Sequence, residues 1–169
     1  MVSYRLRALE PGDLNALLRW ENDPAHWVVG QRTSPYSRDS LQRYIAAASA
    51  DFWEVGQIRF VLCTDASDEA LGLVDVFHAK RLHRRAEVGV LIDSAQRGKG
   101  LAVVALNLLQ DWAVQHAMLG QLHAEIYSDH LAAQKVFERA GFAQIGSWKN
   151  WVQTSEGPKD VTLWQWLSA

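Results

Sequence analysis

Residues suited to binding a phosphate group lie together in one short turn. Two cationic residues alternate there with two glycines: Arg97, Gly98, Lys99 and Gly100. A helical pattern begins at Leu101, and the backbone N–H groups in the first turn of a helix lack intrahelical partners and carry partial positive charge. An anion placed at that end is stabilised, and glycines let the backbone approach it closely. The turn predicts a pyrophosphate-binding site.

Two better-known phosphate-binding turns match this stretch poorly. A nucleotide P-loop requires G-x-x-x-x-G-K-[ST], and neither glycine is followed by Lys-Ser or Lys-Thr. A dinucleotide fingerprint requires G-x-G-x-x-G, and Val103 stands where the third glycine belongs. The remaining alternatives are a pyrophosphate site of another kind and a plain structural turn whose two cations face water.

The elements on either side of the turn must hold it in place. Residues 88–92 form an apolar run, rich in β-branched residues, that predicts a buried strand. After the turn, apolar residues recur at helical spacing, at Leu101, Ala105, Leu108 and Trp112. Residues 122–127 predict a further strand. Strand, helix and strand together predict a parallel crossover unit.

The rest of the chain predicts antiparallel strands and further helices. Alternating apolar residues bounded by turns mark the strands Tyr4–Leu9, Ile58–Cys63, Leu71–Phe77, Phe142–Val152 and Val161–Leu167. Helices are predicted over Leu14–Trp20 and after the N-cap residues Ser37 and Asp129. We therefore predict one mixed α/β (α+β) domain over residues 1–169. Its sheet is mostly antiparallel, with the parallel strand–helix–strand unit at its centre and helices flanking it.

Composition excludes several classes of function. The 169 residues are 49% hydrophobic and 21% charged, which is ordinary for a globular domain, and the net charge of −2 argues against broad binding to nucleic acid or anionic membranes. No apolar run is long enough to span a bilayer, and the N-terminus lacks a signal-peptide core. Cys63 is the one cysteine and the histidines lack metal-site spacing, so we expect neither a disulfide nor a metal. A cytoplasmic enzyme or binding domain fits best.

A wider pattern around the turn resembles a known family. Arg97-x-x-Gly100-x-Ala102, after a strand that carries Glu87, resembles the acyl-CoA signature R/Q-x-x-G-x-G/A of the Gcn5-related N-acetyltransferases, the GNAT family. The likeness extends to His-Arg-Arg-Ala-Glu ahead of that strand and to Ala-Gly-Phe after a later helix, and it covers almost the whole chain. The combination is similar to the branch of spermidine and ribosomal-protein N-terminal acetyltransferases. It implies the GNAT fold and an enzyme that uses acetyl-CoA to acetylate an amine.

The resemblance also implies which residues bind acetyl-CoA. In the family, the phosphate turn holds the pyrophosphate, the central strand receives the pantetheine arm, and the start of a later helix contacts the cofactor. The implied residues are Val90, Leu91, Ile92, Arg97, Gly98, Lys99, Gly100, Leu101, Ala102 and His130. Many relatives have asparagine where His130 stands, so this chain departs from the family pattern there.

Acetyl transfer to an amine requires a base, because a free alkylamine has a pKa of roughly 10 and is protonated at neutral pH. The resemblance implies that Glu87, an acidic residue in an otherwise apolar strand, removes that proton, often through a water. A backbone N–H group of the same strand would polarise the thioester carbonyl, as in an oxyanion hole. The alternative for Glu87 is a simple ion pair with Arg84 or Arg85.

The residue that protonates the departing thiolate in the family is replaced in this chain. The family's tyrosine would align with Phe137, which cannot donate a proton. Since a thiol has a pKa of roughly 8.5, a thiolate is a fair leaving group near neutral pH, and the change need not abolish activity. Tyr127, Ser128 or water could substitute, and Tyr127 is the side chain that we include in the predicted catalytic set.

The acceptor is predicted to be a primary amine of a small molecule or a protein N-terminus. Trp27, Tyr36 and Glu87 are the expected acceptor-binding residues. Spermidine acetyltransferases have an acidic pair before a Pro-Tyr, whereas this chain has the neutral residues Thr33 and Ser34 there, which weakens the case for a polyamine. We expect no nucleic-acid or membrane partner, and the sequence is compatible with a homo-oligomer. A catalytically silent acyl-CoA-binding or regulatory module of the same fold is the competing function.

Overall fold

Seven strands form one sheet in the computed structural model, which describes residues 2–27 and 34–169. In chain order they are β1 (Tyr4–Ala8), β2 (Ile58–Thr64), β3 (Ser67–Lys80), β4 (Arg85–Ile92), β5 (Gln121–Tyr127), β6 (Ala143–Thr154) and β7 (Gly157–Leu167). Their order across the sheet is β1-β2-β3-β4-β5-β7-β6. Within these strands β4 and β5 are parallel and the other neighbours antiparallel. The predicted mixed sheet with a central parallel unit is confirmed.

The helices of the described ranges are α1 (Leu14–Glu21), α2 (Pro24–Trp27), α3 (Arg38–Ala47), α4 (Phe52–Val55), α5 (Leu101–Gln115) and α6 (Leu131–Arg139). As predicted, Ser37 caps α3, because its hydroxyl accepts a hydrogen bond from the Ser40 N–H at 3.1 Å. The predicted cap of α6 is wrong by one residue. His130 accepts the Ala133 N–H at 3.3 Å, while Asp129 binds Lys159 Nζ at 2.7 Å. None of the helices described combines the length and apolar character needed to cross a bilayer.

Helices cover both faces of the sheet. One face packs with α5 and α6 into a large apolar cluster that includes Leu106, Leu109 and Leu122. The other face, called here the α1/α3 face, carries a smaller cluster in which Leu17 and Leu41 pack on strand residues such as Leu73 and Leu91. Because side chains alternate along a strand, Glu87 leaves β4 on the same face as Leu91.

The two parallel strands at the centre separate soon after they meet. Their pairing is limited to Arg85 with Gln121, Ala86 with Leu122 and Glu87 with His123. Residues 88–92 of β4 therefore have no described strand on their β5 side, while β5 remains paired with β7 along its whole length. The gap, called here the β4–β5 cleft, leaves backbone polar groups without strand partners. Such groups require other hydrogen-bonding partners, so the cleft can receive an extended ligand.

Candidate active site

The glycines of the predicted phosphate turn take the backbone conformation that the turn needs. β4 ends at Ile92, a short 3₁₀ turn follows over residues 94–96, and α5 begins at Leu101. Gly98 and Gly100 have φ angles of +78° and +75°, the left-handed region that other residues rarely adopt. A Cβ atom built on either glycine would meet nothing within 4 Å, so the space above them is open.

Backbone donors converge on that open space. In the part of the chain that the structure describes, the N–H groups of residues 98–102 donate to no protein acceptor. The first available helical hydrogen bond is from Val103 N–H to Gly100 O at 3.1 Å. Free N–H groups at the positive end of α5 form a cradle for an anion, and a pyrophosphate fits this arrangement.

The side chains of the turn add charge and anchorage. Arg97 Nε donates to Ile92 O at 3.4 Å, and its Nη2 lies 3.1 Å from His26 Nε2. Lys99 Nζ donates to Gln96 Oε1 at 2.7 Å and stays exposed. Leu101 is buried in the larger cluster and Ala102 packs against it, so both fix the start of α5. The predicted turn residues thus form one cationic surface around the free N–H groups.

Asp93 fastens this turn to α1. Its Oδ2 accepts hydrogen bonds from Arg19 Nη2 at 2.7 Å and from Trp20 Nε1 at 2.8 Å. Its Oδ1 accepts the Ala95 N–H at 2.9 Å. The hydrogen bond from Arg19 is the largest cause that lowers the pKa of Asp93 to about 2, and those from Ala95 and Trp20 act in the same direction. Residue 93 was not among the predicted site residues.

We expect Asp93→Asn to lower the free energy of unfolding by about 2 kcal/mol at pH 7, because a drop in pKa from 3.8 to about 2 corresponds to that stabilisation. The carboxylate pKa is depressed in the folded state, so the stabilisation is complete above about pH 4 and disappears as the pH falls through about 2. Urea unfolding of both proteins across this pH range measures the difference.

A matched control is Asp39→Asn, which removes a carboxylate from an exposed pair with Arg43 on α3. That change should alter stability by only about 0.5 kcal/mol or less. A difference between Asp93→Asn and the native protein that stayed constant from pH 7 down to about pH 2 would contradict the assigned role of Asp93.

Glu87 lies on the α1/α3 face at the point where β4 and β5 part. Its side chain is 16% exposed, and its Oε2 is 2.9 Å from His78 Nδ1. The alternative pairing with Arg84 or Arg85 is wrong, since His78 is the hydrogen-bond partner of Glu87 and Arg84 Nε donates to Met118 O at 2.8 Å. The carboxylate is thus fixed at the mouth of the cleft without a guanidinium partner in the described residues.

Polar residues of β5 continue this face. His123, Glu125 and Tyr127 alternate with Leu122, Ala124 and Ile126, which are buried on the opposite face. Burial and the nearby Glu87 carboxylate raise the pKa of Glu125, while a hydrogen bond from the Trp151 side chain lowers it. His123 and Glu125 were not among the predicted site residues, although the polar–apolar alternation of this strand is visible in the sequence. Trp151, whose indole is exposed, lies on β6 beside Glu125.

Tyr127 and Phe137 lie on opposite faces of the sheet. Tyr127 ends β5 on the α1/α3 face, roughly 13 Å along the strand from His123 at 3.3 Å per residue. Burial raises the pKa of its phenol, which therefore keeps its proton at neutral pH. Phe137 is 4% exposed in the larger cluster and packs edge-on against Phe142 with ring centroids 5.0 Å apart.

The remaining predicted residues lie around the same region. Val90, Leu91 and Ile92 line the unpaired edge of β4. His130 is the N-cap residue of α6, which follows β5. Because the parallel strands β4 and β5 end at the same edge of the sheet, His130 lies at the edge that carries the phosphate turn. Tyr36 packs against the α1/α3 cluster, and α2 ends at Trp27.

Two hydrogen bonds join Asn22, just after α1, to Tyr36, just before α3. Asn22 Oδ1 accepts the Tyr36 N–H at 2.7 Å, and Asn22 Nδ2 donates to Tyr36 O at 3.0 Å. These bonds join the end of α1 to the residues that immediately precede α3. Thr33 and the side chain of Trp27, both used in the prediction of the acceptor, lie outside the described residues.

Comparisons with known proteins agree with this geometry. Residues 4–143 match the model of a family described as the acetyltransferase (GNAT) domain. The spermidine N(1)-acetyltransferase of Vibrio cholerae is 28% identical over 145 residues, covering 83% of this chain and 79% of the relative. That of Escherichia coli K12 is 26% identical over 147 residues, covering 85% and 75%.

A solved structure gives the same fold. The spermidine N-acetyltransferase of Vibrio cholerae, determined in complex with CoA and spermine, superposes with a TM-score of 0.86 at 23% identity. The superposition covers 98% of this chain and 95% of that chain. Together with the family match, which spans most of the sequence, this confirms the predicted resemblance. The chain is an acetyltransferase and belongs to the GNAT family.

Proposed function

We propose that this protein transfers the acetyl group of acetyl-CoA to a primary amine, by direct attack within a ternary complex. The proposal is supported by the observation that three features of the structure follow one another along β4 and the turn after it. The anion cradle at α5 leads to the unpaired edge of β4, and that edge leads to Glu87 at the mouth of the cleft. Membership of the GNAT family supports the same reaction.

The residues present fit acetyl-CoA, which supplies an acetyl group as a reactive thioester when bound. The free N–H groups of residues 98–102, with Arg97 and Lys99, would hold the pyrophosphate. The backbone of Val90, Leu91 and Ile92 would hydrogen-bond an extended arm that carries amide groups. His130 would contact the cofactor from the start of α6 while it caps that helix.

Glu87 is proposed to receive the acceptor amine. An alkylammonium has a pKa of roughly 10, so at neutral pH it must lose a proton before its nitrogen can attack. A carboxylate that is largely shielded from solvent and fixed by His78 can bind the ammonium and assist that loss, directly or through a water. Tyr127, which keeps its proton at neutral pH, is the proposed donor to the departing thiolate.

The names of the relatives support a small-molecule amine as the acceptor, and a protein N-terminus is the other candidate. Trp27 and Tyr36, together with Glu87, are the proposed contacts. Initial rates measured while both substrates are varied test the ternary complex. Intersecting double-reciprocal lines are expected, whereas parallel lines would indicate a covalent acetyl-enzyme and contradict direct attack.

We expect spermidine to be a poorer acceptor than the best amine in a panel of polyamines, amino sugars and N-terminal peptides. A polycation requires free carboxylates, and those described on this face are largely paired. Asp75 and Glu21 both bind Arg59, so Glu87 can bind the attacking ammonium while these two carboxylates are not available to the further charges of a polyamine. Steady-state kcat/KM values rank the amines. The highest value for spermidine would overturn this expectation without affecting the acetyl transfer itself.

A further inference from the structure

His123 stands at the mouth of the β4–β5 cleft, beside the proposed site of amine binding. It is the β5 residue opposite Glu87 in the last pair before the strands separate. Neighbouring strands lie about 4.8 Å apart, and side chains opposite one another leave the sheet on the same face. The imidazole is therefore next to the Glu87 carboxylate on the α1/α3 face.

Both side chains retain unused hydrogen-bonding capacity. The His123 ring is partly buried, and the described ranges offer it no hydrogen-bond partner. Glu87 uses Oε2 for His78, and its Oε1 has no partner within the same ranges. Both side chains are only partly buried, so solvent or a ligand can reach these atoms. Two polar groups that can bind the same ligand nitrogen are thus adjacent.

The surroundings keep the His123 ring neutral near pH 7. Burial is the main cause that lowers the pKa of His123, and Arg85 and His78 lower it further, whereas the Glu87 carboxylate acts in the opposite direction. Glu125, two residues along the strand, is the acidic side chain that β5 itself carries on this face. An imidazole has an ordinary pKa of about 6.5, so a lowered value leaves the ring able to accept a proton at pH 7.

We propose that His123 is a catalytic residue that accepts the proton of the acceptor ammonium, while Glu87 binds the ammonium and then stabilises the imidazolium. An N–H bond of the ammonium breaks, its electron pair stays on nitrogen for the attack, and a new N–H bond forms on His123. The imidazolium later releases this proton to solvent, which reaches the partly buried ring. The inference rests on the proposed acetyl transfer and specifies where its proton goes.

The roles proposed for His123 and Glu87 suit the chemistry of an imidazole and a carboxylate. A general base must be unprotonated and within reach of the proton that it takes, and a neutral imidazole ring beside the bound ammonium meets both conditions. A carboxylate in turn is the better partner for a cation. His123 and Glu87 side by side therefore provide a proton acceptor and a cation site within reach of the same nitrogen.

The pH dependence of kcat/KM tests the proposal. In the native protein, kcat/KM should fall on the acidic side as His123 becomes protonated. His123→Gln should lower kcat/KM by about 10²-fold at neutral pH and remove this acidic limb. His116→Gln, at an exposed position after α5, is the matched control and should keep both the rate and the profile. Thermal unfolding and acetyl-CoA affinity should be close to native in both variants.

Chemical rescue separates a catalytic role from a structural one. Added imidazole should raise the rate of His123→Ala in proportion to its concentration and leave the native rate unchanged. A folded His123→Gln protein with native kcat/KM and an unchanged acidic limb, or a His123→Ala protein that imidazole does not activate, would overturn the inference. Acetyl transfer with Glu87 as the base would then stand, whereas absence of turnover in the native protein would overturn the proposed function as well.

Discussion

Replacing Glu87 with glutamine is expected to lower kcat/KM for the acceptor amine by about 10²–10⁴-fold, with acetyl-CoA affinity nearly unchanged. Glutamine keeps the size of the side chain and can hydrogen-bond His78, but it can neither carry the charge that binds an ammonium nor assist removal of its proton. The loss should shrink as the pH rises, because more of the amine is then already neutral. Steady-state kinetics between neutral and alkaline pH, with calorimetry for the cofactor, measure both effects.

The control is Glu138→Gln, which makes the same change at an exposed position of α6. It should leave kcat/KM within about twofold of native, because surface substitutions away from a site have small effects. A folded Glu87→Gln enzyme that was fully active across the pH range would contradict any part for this carboxylate in amine binding or deprotonation. Glu87 would then be only the hydrogen-bond partner of His78.

Gly100→Asp is expected to weaken acetyl-CoA binding by about 10²-fold or more, because a charged hydrogen bond contributes about 1.5–3 kcal/mol and more than one would be lost. Gly100 is the N-cap of α5 with φ +75°, and the space beside it is open. An aspartate there would put a negative charge into the cradle of free N–H groups. Isothermal titration calorimetry with acetyl-CoA measures the change.

Two further variants separate charge from backbone strain. Gly100→Asn introduces a side chain of similar size at the same left-handed position without the charge, and it should retain more affinity than Gly100→Asp. Gly157→Asp places the same charge at a glycine with φ +110° and open surroundings in the β6–β7 turn, and it should leave the affinity unchanged. Native affinity in a folded Gly100→Asp protein would exclude the turn as the pyrophosphate site.

Local patterns were sufficient to predict the elements that hold the cofactor turn. The apolar run before it corresponds to β4, and the helical spacing after it corresponds to α5. The crossover from β4 through α5 to β5 gives the one parallel strand pair described. Glycine at positions 98 and 100 signalled a special backbone conformation, which both residues adopt. These features depend on residues close together in the sequence, so their patterns could be recognised without a structure.

Features that depend on distant residues could not be predicted in the same way. The partner of Glu87 is His78, which a bulge in β3 and a φ of +52° bring towards β4, and no sequence signal marks that bend. Separation of β4 from β5 after Glu87 is a property of the pairing between strands. His123 was visible as a polar residue in an alternating strand, but its position opposite Glu87 required the register. The four-residue helix α4 is too short to show a helical period.

The most direct test of the central claim is turnover itself, followed by mass spectrometry of the acceptor and by release of free CoA thiol in the same reaction. With acetyl-CoA and the amine panel, we expect at least one amine to gain an acetyl group in equal amount to the CoA released. The rate should fall in Glu87→Gln and in Gly100→Asp. Acetyl-CoA binding without an acetylated product from any amine would contradict the proposed transfer and favour a silent acyl-CoA-binding module instead.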